Sequence, residues 1–302
     1  MKELLVISGK GGTGKTSITA SFAALASSTC VIADCDVDAA DLFLVLSPSP
    51  LSAKNFSGGK RAKINSGLCT GCGKCLELCR FDAIHCEPGT NAFYIDPIAC
   101  EGCGVCTWFC PSKAIDFDPA VNGEYRLSRT RHGILSHAKL GIAEENSGKL
   151  VSIVREEARK QAEANKKDLI LIDGPPGIGC PVIASLSGVD FVLLVTEPTL
   201  SGMHDLERAA ALIRHFKIPG MVCVNKWDLN PEITVTIEEK AAGLALDIGG
   251  RIRYDRAVTE AQIRGKSVVE HQQAGCSEDI RALWKNISEL LFKKDEKTEN
   301  EF

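Results

Sequence analysis

The segment SGKGGTGKT (Ser8 to Thr16) follows the apolar run LLVIS and precedes a stretch of helical spacing from Ser17 to Leu25. Strand, glycine turn and helix in that order form a phosphate-binding context. Gly11, Gly12 and Gly14 let backbone N–H groups turn inward at a helix N-terminus, whose dipole favours anions. Lys15 is placed to reach the β- and γ-phosphates, the Thr16 hydroxyl to ligate Mg²⁺, and Thr13 and Ser17 to complete the loop's contacts. An ordinary glycine turn has no need of the Lys-Thr pair.

Four further apolar runs look like buried parallel strands: CVIAD (Cys30 to Asp34), LILID (Leu169 to Asp173), FVLLVT (Phe191 to Thr196) and MVCVN (Met221 to Asn225). They are apolar on both faces, and helical spacing separates them, as in Val151 to Asn165 and Asp205 to Phe216. The expected class is α/β, a P-loop NTPase with a mostly parallel sheet flanked by helices. A stretch EYRLSRTRHGILSHAKL reads as one strand rejoining that sheet.

Between about Ser57 and Pro119 the pattern breaks. The chain carries 14 cysteines, and eight of them form two runs here, CTGCGKCLELCRFDAI and CEGCGVCTWFCPSKAI, entered by SGGKRAK and left by DFDPAVNG. The expected division is an ATPase domain of residues 1–56 and 120–292, an inserted domain of residues 57–119 and a polar tail of residues 293–302. Cys69, Cys72, Cys75 and Cys79, then Cys100, Cys103, Cys106 and Cys110 followed by Pro111, repeat the bacterial ferredoxin spacing. In that spacing the fourth cysteine of each run ligates the other cluster. One 4Fe-4S centre is therefore expected on Cys69, Cys72, Cys75 and Cys110, and a second on Cys100, Cys103, Cys106 and Cys79. Two zinc sites would leave the third cysteine of each run unexplained. Cys79 is followed by Arg80 where the pattern has proline.

Lys10 resembles the extra lysine of the deviant Walker A, or signature-lysine, ATPases of the MinD/ParA superfamily. In that group the lysine reaches across a dimer interface to the partner's nucleotide. The resemblance implies a nucleotide-dependent dimer, either a homodimer or a heterodimer with a similar ATPase. It places a water-orienting carboxylate at Asp36, Asp34 near the magnesium shell and the Walker B aspartate at Asp173, with Gly174 to Gly179 as a switch loop. NKWD (Asn225 to Asp228) is ambiguous, since GTPases read guanine with N-K-x-D. Lys10 tilts the choice to ATP, with Asn225 the safer base contact and Asp228 less certain. Over nearly its whole length, the order of motifs is similar to that of MinD-superfamily ATPases carrying an inserted ferredoxin domain.

That resemblance implies a slow, dimer- or partner-dependent ATPase that couples conformational change to electron transfer, or to metal-centre assembly, on a redox or metal-cofactor acceptor protein. Two other readings stand beside it: a nucleotide-regulated iron–sulfur carrier or docking module, and a positioning ATPase of the ParA/MinD kind. Cys180 matches the offset of a switch-loop cysteine that bridges a cluster in the nitrogenase iron protein, or it simply starts a helix before Pro181. Cys30 and Cys223 are expected in the core and Cys276 in a loop. Lys+Arg 35 against Asp+Glu 39 gives a net charge of −4, which removes the electrostatic argument for nucleic acid. No apolar run approaches the roughly 20 residues of a membrane helix, and MKELLVISGKGG is no signal peptide, so a cytoplasmic location is expected.

Overall fold

The computed structural model describes residues 1–141 and 147–292, and the expected polar tail lies outside the described residues. The chain divides into two compact units. The first is built from Met1–Ala53, Tyr125–Lys139 and the described chain from Ser147 onward; the second from Lys54–Glu124 with Leu140 and Gly141.

A nine-stranded sheet organises the first unit. Its order is β13 (Asp247–Ile252), β12 (Gly220–Asn225), β11 (Phe191–Thr196), β1 (Lys2–Ser8), β10 (Leu169–Pro176), β2 (Cys30–Asp34), β9 (Gly133–Leu140), β8 (Gly123–Thr130) and β3 (Ser49–Phe56). From β13 to β9 every pairing is parallel, with Val6 opposite Asp173 and Ile172 opposite Ala33. Leu4, Leu5, Val6 and Ile7 are all fully buried, as a strand covered on both faces requires. Each such side chain contributes roughly 1.5–3 kcal/mol by leaving water. The helix Lys15–Ala26 packs on the C-terminal helix Cys276–Leu291, where Phe22 and Trp284 stack with ring centroids 5.0 Å apart.

Three local expectations are corrected. The alternating stretch after the cysteine runs is two strands, β8 and β9, because Arg131, His132 and Gly133 (φ +143°) turn the chain midway. Gly174, Pro175 and Pro176 continue β10 instead of opening a switch loop, and Gly177 (φ +88°) begins the turn. Cys276 is fully buried as the first residue of the last helix, not exposed in a loop.

The second unit is small and two-fold in plan. β4 (Gly59–Ile64) pairs antiparallel with β7 (Ile115–Ala120), and β5 (Ile84–Cys86) pairs antiparallel with β6 (Phe93–Ile95). The segments expected to lead into and out of the insert are thus its main strand pair. Short helices Lys74–Leu78 and Val105–Trp108 follow the cysteine loops and pack together. The two loops share one backbone plan: Gly71 and Gly73 have φ of +70° and +71°, Gly102 and Gly104 have +64° and +75°. A side chain at Gly102 would collide with the Lys60 carbonyl.

A buried ion-pair network fastens the lower end of the first unit's sheet. Glu3 on β1 accepts from Arg155 Nη2 at 2.5 Å and also pairs with Arg159. Arg155 Nη1 donates to the carbonyls of Ala184 and Ser187, each at 2.8 Å. Arg155→Ala leaves a buried carboxylate short of a partner and two carbonyls unpaired, so a loss of about 3–5 kcal/mol is expected. Urea denaturation measures it, and a loss below about 1 kcal/mol would show that the network contributes little.

Candidate functional site

The parallel register sets the loop after β1 beside the ends of β2, β10 and β12, the edge where open α/β sheets bind ligands. An open cleft lies there, lined by Gly11, Gly12, Gly14, Lys15, Thr16 and Ser17 together with Asp36, Pro176 and Asn225. Gly14 has φ +92° and runs so close to the Asn225 amide that no side chain fits. Asn225 Nδ2 donates to the Thr13 carbonyl at 2.8 Å, which ties the end of β12 to the loop.

At the floor of the cleft Lys15 Nζ donates to Asp36 Oδ2 at 2.6 Å. Thr16 Oγ1 donates to Asp173 Oδ2 at 2.7 Å and Thr19 Oγ1 to Asp173 Oδ1 at 3.0 Å. The Asp36 amide donates to Asp34 Oδ1 at 3.2 Å, and Asp34 Oδ2 is buried without a partner among the described residues. Burial disfavours the Lys15 cation, yet Asp173, Asp36 and Asp34 outweigh it and hold its pKa above the usual lysine value. Burial, then the charges of Asp173 and Asp36, push the Asp34 carboxyl well above the carboxylate range. Asp173 is raised as well, chiefly by burial. Three buried carboxyls thus face one ammonium, and Asp34 Oδ2 has no partner among the described residues. Oxygen donors of this kind suit a hard divalent cation, with the phosphates at the glycine loop supplying the ligands these side chains do not converge to give.

Two expected site residues lie away from the cleft floor. Lys10 Nζ donates to Ser201 Oγ at 3.1 Å and Thr199 Oγ1 at 3.4 Å, with Glu197 Oε2 at 3.7 Å. Asp228 does not line the cleft: its Oδ1 accepts from the Tyr254 amide at 2.7 Å. Other lining residues were not picked out as site residues by the sequence. Gln262 donates to Ser17 Oγ at 2.9 Å, and Tyr254 lies on the wall; Lys226, in the middle of NKWD, bonds the Gly12 carbonyl at 3.4 Å and pairs with Glu197.

In the second unit the cysteines gather around two cavities. Cys69, Cys72, Cys75 and Cys110 line one small pocket, and Cys79, Cys100, Cys103 and Cys106 line the other. Each cavity takes three thiols from one run and the fourth from the other. No three His, Cys, Asp or Glu side chains among the described residues converge closely enough to hold a single metal ion. Burial, with the neighbouring thiols Cys100, Cys103 and Cys75, pushes the Cys106 thiol up to about 11. Cys180 is exposed, while Cys30, Cys35 and Cys223 are buried in the first unit. No helix among the described residues is long and apolar enough to cross a membrane.

The folded pKa of Asp34 lies above its unfolded value, so ionised Asp34 weakens the ligand-free fold increasingly as pH rises from about 3.9 through the raised pKa. Asp34→Asn is expected to raise the ligand-free melting temperature at pH 7 and to shrink the added stabilisation by Mg-ATP. Thermal unfolding with and without Mg-ATP measures both, and a ligand-free melting temperature that falls would show the carboxylate is already compensated.

Residues 4–268 match the CobQ/CobB/MinD/ParA nucleotide binding domain. The uncharacterized protein MJ0578 of Methanocaldococcus jannaschii is 36% identical over 291 residues, covering 96% of this chain and 97% of the relative. MJ0579 of the same organism is 24% identical over 285 residues, covering 90% and 94%. The septum site-determining protein MinD of Pyrococcus horikoshii, solved with Mg-ADP, shares the fold with a TM-score of 0.57 at 17% identity, covering 96% of each chain. Cyanothece McdA, solved with ATP, does so with a TM-score of 0.53 at 16% identity, covering 97% and 98%. The chain belongs to the CobQ/CobB/MinD/ParA nucleotide-binding family.

Proposed function

We propose that this chain is a dimeric Mg-ATP-hydrolysing switch that carries two 4Fe-4S clusters. It would couple ATP-driven conformational change to electron transfer, or to the building of a metal or iron–sulfur centre, on a partner protein. The observation that carries the cluster half is the exchange of cysteines. Each cavity is lined by four thiols, one of them contributed by the opposite run. That grouping is the one the bacterial ferredoxin spacing requires, and two four-ligand zinc sites would leave the third cysteine of each run unexplained. Bound there, the clusters would supply reversible one-electron storage.

The nucleotide half rests on the cleft. Lys15 must exchange Asp36 for phosphate oxygens when a nucleotide arrives, which frees the Asp36 carboxylate to orient a water. Thr16, Asp34 and Asp173 are the residues to hold the magnesium shell. Asn225 is the base contact this reading favours, since it lines the cleft and Asp228 does not. Lys10, held by hydroxyls at the surface of its own chain, is the residue to reach a partner's phosphates in the closed dimer. The acceptor is a redox or metal-cofactor protein.

A positioning role is the second reading, favoured by the fold shared with MinD and McdA. Against membrane attachment through the last helix, Ile280, Leu283, Ile287 and Leu291 are buried in the core.

Lys10→Ala is expected to bind nucleotide normally and to lose hydrolysis by about 10²–10³-fold; unchanged phosphate release would remove the dimer argument. Anaerobic EPR of the reduced protein, with and without Mg-ATP, tests the coupling. A nucleotide-dependent change in signal supports an energy-driven redox or assembly machine. Iron-replete protein that shows no iron–sulfur signal leaves the positioning reading standing.

A further inference from the structure

The two cysteine runs repeat at an interval of 31 residues, from Cys69 to Cys100 and from Cys79 to Cys110. Their surroundings do not repeat. Cys110 Sγ accepts from the Ala114 amide at 3.3 Å and lies 3.6 Å from Ser112 Oγ. Once Cys110 is a thiolate, the hydroxyl can only donate to it. The residue at the position matching Ser112 is Phe81, and Cys79 Sγ accepts no hydrogen bond among the described residues.

The charges differ in the same sense. Lys74 lines the cavity of Cys110, and its counterpart is Val105; Glu101 lines the cavity of Cys79, and its counterpart is Thr70. In the turn after each fourth cysteine stand Lys113 (φ +50°) on one side and Asp82 (φ +50°) on the other. Arg80 in place of Pro111 opposes the trend at one position. Reduction adds negative charge to a cluster, so donated hydrogen bonds and nearby cations favour the reduced state, while bare apolar walls and carboxylates disfavour it.

We propose that this chain holds its two cluster sites at different reduction potentials. The site of Cys69, Cys72, Cys75 and Cys110 is the more easily reduced, and Ser112 and Phe81 set much of the difference. The proposal rests on the cluster reading above. With clusters bound, an electron from a one-electron donor would pass from the site of Cys79 to that of Cys110, the one oxidised and the other reduced by one electron, with no bond or proton changing place. The helices carrying Cys75 and Cys106 pack against each other.

The test is an EPR-monitored redox titration of the full-length, anaerobically reconstituted protein. Wild type is expected to show two separate one-electron waves. Ser112→Ala should lower the higher wave alone, Ser112→Thr should restore it, and Phe81→Ser should raise the lower wave alone. A single potential for both clusters in wild type would overturn the proposal, as would a Ser112→Ala shift in the lower wave. Iron-replete protein with no cluster signal would instead overturn the reading on which it rests, so the two failures are distinguishable.

Discussion

Negative charge at the end of the sheet is the constraint on which the nucleotide site depends. The parallel pairing of β1, β10 and β2 forces Asp173 and Asp34 side by side, since Asp173 pairs with Asp34 in the register itself. Asp36 follows within the same turn. One ammonium, Lys15, lies among them, carried on the first turn of a helix whose N-terminus adds a partial positive charge. The ligand-free chain thus stores electrostatic strain at the point where phosphates and a divalent cation would relieve it. Affinity for the charged pair is built from the same pairings that hold the sheet together.

Legibility followed burial. Strands covered on both faces announce themselves as unbroken apolar runs, so Cys30–Asp34 and Phe191–Thr196 fall where the sequence puts them. β13 was missed because DIGGRI spends two of its six residues on glycine. β4 and β7 read as linkers because GKRAKI is charged and IDFDPA ends near a proline. Each belongs to a two-stranded sheet with several exposed positions, where polarity reflects solvent rather than absence of structure. The hairpin of β8 and β9 was read as one strand because its alternation continues across the turn.

The site divides in the same way. Gly14, Lys15, Thr16 and Asp173 belong to a motif whose spacing already encodes its geometry. Tyr254 and Gln262 reach the cleft only because distant segments fold against the loop, and no local pattern records that. Asp228 is a motif residue whose Oδ1 accepts from a backbone amide that no one-dimensional reading places beside it. In the cysteine unit, the spacing carried the exchange of the fourth thiol between runs. What it did not carry was the inequality of the two halves, which depends on what each side chain touches.

That exchange also orders events on the ribosome. With each cavity borrowing a thiol from the opposite run, a nascent chain that stops between Cys79 and Cys100 has no complete set, and both sets are finished only once Cys110 has been made. β10, which brings Asp173 to β1, is translated later still. The thiol sets are therefore complete while the nucleotide cleft still lacks its central strand.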